Sequence, residues 1–139
     1  LFYNQTFEQL PPAAQTTVRK FQKGEITYEE LQIQATVARR RRNFEEAMRA
    51  ANKMREEAMR FDHQAQIHRL KAENELRCGL STQEQAMEDK EPEDIIQRRA
   101  TNHRNKARIE LREANENDAM ARNHWQTYYN AMERIAEDI

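Results

Sequence analysis

Few side chains in this sequence suit metal or nucleophile chemistry: His63, His68, His103, His124, Cys78 and Ser81. No histidine belongs to a His-Glu-x-x-His pair, and none follows a glutamate by three residues. The helical zinc and di-iron signatures are therefore absent. Gly24 and Gly79 are the only glycines, which excludes a glycine-rich phosphate loop and a Gly-x-Ser-x-Gly elbow. Cys78 precedes Gly79 at an expected helix C-terminus, where the helix dipole gives a thiolate no help. A single cysteine also excludes an internal disulfide. His63, His68 and His103 fall together in the hairpin expected below, but no carboxylate completes a ligand set, and Arg69 and Arg104 would repel a cation. The sequence thus assigns no catalytic, cofactor-binding or metal-binding residue, and no small-molecule substrate.

Charge is the stronger signal. Glu84, Glu88, Asp89, Glu91, Glu93 and Asp94 crowd one short stretch, and a basic band with Arg98, Arg99, Arg104, Lys106 and Arg108 follows it. An acidic tip above a basic collar is expected. Such a collar suits RNA phosphate, anionic lipid or an acidic protein face, although it lacks the interleaved aromatics that stack on bases. It equally suits a solvated helix face. Four consecutive arginines, Arg39 to Arg42, point to all sides of a helix, and Glu133, Glu137 and Asp138 are expected to neutralise them. Two apolar groups are candidate partner contacts. One is Trp125 with Tyr129, of the residue types enriched at interface hot spots. The other is the N-terminal lead, with Phe2, Tyr3, Phe7 and Leu10.

The elements that position these groups follow from two alanine ladders. Ala51, Ala58, Ala65 and Ala72 are spaced by seven residues, as are Ala100, Ala107, Ala114 and Ala121. A seven-residue repeat marks a seam that faces a partner helix. Folding the chain near residue 86 sets Ala72 against Ala100, Ala51 against Ala121, Val37 against Ile135 and Trp125 beside Ala47. The expected fold is all-α: a long antiparallel two-helix coiled-coil hairpin with an Ala-rich seam, and a short N-terminal helix packed at its open end. Residues 1–25 form an apolar arm and short helix; residues 26–139 form the hairpin. Its helices are expected at about 27–78 and 93–137. The tip, 79–92, begins at Gly79 as a helix cap and holds a short helix near 82–88. Thr27 and Glu30 have capping-box spacing for the first long helix. Val18 to Leu31 resembles a small helical-hairpin motif found in unrelated assemblies, which implies the joint and no function.

The chain has 139 residues, two glycines, three prolines and 34% charged residues, a profile of long helices around a thin seam. A net charge of −1 gives no overall bias toward nucleic acid. No apolar run is long enough for a transmembrane segment. The start at Leu1 is expected of a processed product or a fragment. These features suggest a non-catalytic accessory subunit, a helical strut or clamp among the protein subunits of a large assembly, inside the cell and fitting a mitochondrial complex. The alternatives are an RNA-associated peripheral protein of a ribosome-like particle, or a homodimerising scaffold.

Overall fold

The computed structural model describes residues 6–139. Phe2 and Tyr3 lie outside the described residues. Every regular element among those described is helical. A 3-10 turn, Phe7–Gln9, is followed by α1, Pro12–Gln22, α2, Tyr28–Glu88, and α3, Glu93–Glu137. No described helix is long and apolar enough to cross a membrane.

Local chemistry sets the joints. Pro12 begins α1, where its missing N–H costs nothing. Gly24 ends α1 with φ 77°, and the Gly24 and Glu25 N–H groups donate to Phe21 and Lys20 carbonyls at 3.0 and 2.9 Å. That is a Schellman closure, and its positive φ favours glycine. The Glu30 N–H donates to Thr27 Oγ1 at 3.2 Å, capping the start of α2.

The chain divides into two compact units. One comprises Leu1–Ala50 with Ile135–Ile139; the other is Ala51–Arg134. In the first, Leu10, Leu31, Ala35 and Ile135 are buried. The lead is tied to α1 because Gln15 Nε2 donates to the Phe7 and Leu10 carbonyls at 3.2 and 3.1 Å.

The second unit is the alanine-seamed helix pair. Ala51, Ala58, Ala65, Ala72 and Ala86 on α2, with Ala107, Ala114 and Ala121 on α3, are all 2% exposed or less. Methyl groups let the backbones approach closely, so the gain comes from many contacts along the seam and little buried area at any one level.

Two expectations are corrected here. Gly79 does not end α2, and no separate tip helix exists at 82–88: α2 runs unbroken to Glu88. Gly79 is buried and stands one heptad after Ala72 and one before Ala86, so the ladder has six rungs. A Cβ on Gly79 would come within 2.9 Å of the His103 Cβ, so glycine serves close helix approach. The helix ends instead at Glu88, and Lys90, with φ 55°, closes it. The Lys90 and Glu91 N–H groups donate to the Met87 and Ala86 carbonyls at 3.2 and 3.0 Å, a Schellman closure without glycine.

The second correction concerns register. With the turn at Asp89–Pro92, each α3 residue meets a later α2 residue than a fold near 86 implies. Trp125, expected beside Ala47, donates to Asp62 at 2.9 Å. His103 meets Glu75, and His68 meets Glu110. Ala72 therefore does not face Ala100, which is only half-buried.

Candidate functional site

Three histidines sit along the edges of the α2–α3 seam, each against a glutamate of the opposite helix. His68 Nδ1 lies 2.6 Å from Glu110 Oε2, His103 Nδ1 lies 2.9 Å from Glu75 Oε2, and His124 Nε2 lies 2.9 Å from Glu57 Oε2. His68 and Glu75 are a heptad apart on α2; His103 and Glu110 are a heptad apart on α3. Because the helices run antiparallel, the two pairs are reciprocal. These pairs pin the register in a way that alanine methyl groups alone do not. A fourth cross-link joins Arg69 to Asp118.

The expected histidine cluster is not formed: His63 is exposed, and His68 and His103 have separate carboxylate partners. His68 instead gathers two carboxylates, with Glu113 Oε2 at 3.3 Å from Nε2. One donor atom from each of His68, Glu110 and Glu113 lies within 4.8 Å of the others, the only such metal-compatible group among the described residues. The sequence reading missed it because its register put Glu110 elsewhere. The two ring nitrogens point in opposite directions and each meets a different carboxylate, so the imidazole bridges two acids. A single ion can use only one of those nitrogens. The arrangement is that of an interhelical tie.

Arg98, Arg99, Arg104, Lys106 and Arg108 are all exposed on α3. Arg99 is held by Glu91 at 2.5 Å. Arg99 and Lys106 are seven residues apart and share a face, while Arg104 and Arg108, four apart, take another. The band is thus spread around α3 and does not form one basic track. Lys106 and Lys71 border a shallow hollow of about 280 Å³ with Glu75 and Glu110, which offset their charge.

Trp125 organises the aromatic group. Tyr129 stacks on it at 6.0 Å and 23°, and Tyr128 meets it edge-on at 5.9 Å. The indole N–H is satisfied by Asp62, so this cluster is partly core. Tyr129 remains exposed, beside a hollow formed with Asp62, Asp118, Arg122 and Trp125. Of the lead residues, Leu10 is only 7% exposed, and Phe7 is half-buried beneath the Arg19 guanidinium, 5.0 Å from the ring centre. Both are engaged within their own unit.

Arg39 to Arg42 are exposed, and no carboxylate of the described residues lies within 4.0 Å of their charged nitrogens. Asp138, one of the acids expected to neutralise them, lines the same hollow as Arg40 and Arg41 without a direct ion pair. Beside them on α2, Ile33, Val37 and Phe44 are 63%, 54% and 44% exposed. The sequence reading placed Val37 in the seam and missed this combination, for which the unbroken arginine run was the available sign.

Compared with protein-family models, with curated proteins and with solved structures, the chain finds no match.

Proposed function

We propose that this chain is a non-catalytic structural subunit, a helical strut or clamp that other proteins of a large assembly pack against, a mitochondrial complex being the setting it fits. One observation carries the reading. Unit 2 buries alanines along most of its seam, with Ile96 a large side chain buried near the turn, and leaves many of its long aliphatic side chains outside. Met59, Leu70, Leu76, Leu80, Met87 and Ile109 are each at least half exposed. Scattered apolar surface is ordinary, but this many long aliphatic side chains on a highly charged helix pair is surface that neighbours would cover. A helix pair with so thin a seam also gains stability from whatever binds its folded form.

RNA association is the second reading, favoured by the exposed arginines of α3 and of Arg39–Arg42. The division of the α3 band between two faces, and the lack of aromatics within it, count against it. Gradient fractionation of the native source, detecting this chain with and without ribonuclease, separates the readings. The proposal expects migration with a large particle that ribonuclease leaves intact. Migration as a free chain overturns it, and a shift on ribonuclease treatment favours RNA.

A further inference from the structure

We infer that the N-terminal part of α2, from Ile33 to Phe44, is a docking site for an acidic amphipathic helix of another protein. The inference rests on the assembly reading and names a site and a partner chemistry for it.

The seven-residue column that makes the α2 seam extends toward the N-terminus through Phe44 and Val37. From Ala51 to Ala86 that column is small and buried; at Val37 and Phe44 it is large and bare. Ile33, one turn before Val37, extends the same stripe. Ile135 of α3 shares a hollow with Val37 and Phe44, yet Ile33, Val37 and Phe44 stay 63%, 54% and 44% exposed, an apolar helix face with room for a further helix. The space fits one. A hollow of about 440 Å³ lies on one side of Val37, lined by Ala13, Ala14, Ile33 and Ala38. Another, of about 540 Å³, lies on the other side, lined by Phe44, Ala47, Ile135 and Ile139.

Charge defines the occupant. Arg41 and Arg42 border the first hollow, Arg40 and Arg41 the second, and none has an acidic neighbour at ion-pair distance among the described residues. Glu45 and Asp138 are the only acids on the two rims. Apolar floor and net positive rim match a helix with leucine-like residues at i, i+3, i+4 and i+7 and acids on its flanks.

The test uses the full chain and a fluorescent helical peptide of about 18 residues, with leucines in that pattern and glutamates elsewhere. Controls are a scrambled peptide of equal composition, a version with lysine for glutamate, and anionic phosphatidylserine vesicles. Anisotropy is expected to show micromolar binding of the patterned acidic peptide, and binding at least about 10-fold weaker for both control peptides. R41E/R42E and V37S are each expected to weaken binding by about 10-fold or more while circular dichroism stays unchanged. R104E/R108E, on α3, is expected to leave binding unaltered.

Equal binding of the scrambled peptide, or no binding at about 1 mM, overturns the inference. So does vesicle binding without peptide binding, which assigns the site to a lipid surface. Self-association abolished by R41E/R42E assigns it to a second copy. If the chain migrates with a large particle and the peptide does not bind, this site alone fails. If the peptide binds and the chain migrates free, the assembly reading fails.

Discussion

Gly79 packs so tightly against His103 that a Cβ added to it would stand 2.9 Å from the His103 Cβ. Both groups are anchored close to backbone, so neither can swing aside as a long side chain would. The contact comes one heptad above Ala72, on the same buried face of α2. It gives a substitution test with an unusual sign. Gly→Ala within an ordinary exposed helix stabilises by about 1 kcal/mol. Here Gly79→Ala is expected to destabilise by about 1–3 kcal/mol, because the clash forces the helices apart. Thermal unfolding checks this, and a stabilised variant would contradict the packing.

The seam should be sensitive to size and the flanks should not. Ala65 is fully buried, so Ala65→Leu inserts three carbons where no space exists, and a loss of about 3 kcal/mol or more is expected. Leu70 is 59% exposed, and Leu70→Ala is expected to change the isolated chain by no more than about 0.5 kcal/mol. Denaturant melts of the two variants should separate clearly.

The reciprocal histidine pairs should act as register pins. A double-mutant cycle with His68→Ala and Glu110→Ala is expected to give a coupling of about 0.5–1 kcal/mol, in the range of partly screened charge pairs. Coupling of His68 with Arg104, which the register expected from sequence would place opposite it, should be near zero.

Lys90 holds φ 55° at the C-terminus of α2, a conformation that costs about 1 kcal/mol for a residue with a Cβ. Lys90→Gly is therefore expected to raise stability by about 0.5–1 kcal/mol, and Lys90→Val to lower it. Unfolding midpoints of the pair read this directly.

How far the sequence disclosed this architecture follows from what each residue can mean. Alanine at a seven-residue spacing has one structural meaning on a long helix, so the all-α helix pair was legible. Glycine has two: a left-handed cap or a close backbone approach. Gly24 is the first and Gly79 the second, and nothing local tells them apart. Reading Gly79 as a cap put the turn too early, and every cross-helix pairing inherited that shift. Lys90 carries no sequence sign of a left-handed cap; only Pro92 nearby marks a limit to the helix. The histidine–glutamate pairs were hidden by the same shift. The bare Val37–Phe44 stripe carries the same seven-residue period as the seam, and periodicity reports a helix face but cannot report whether anything covers it.

Covered flanks are the central claim, and hydroxyl-radical footprinting tests it most directly. Oxidation of Met59, Met87, Leu70, Leu76 and Leu80 is measured by mass spectrometry in the purified chain and in the native material. The account predicts ready labelling of all five in the isolated chain and strong protection of most in the native state, unchanged by ribonuclease. Equal labelling in both states would contradict it.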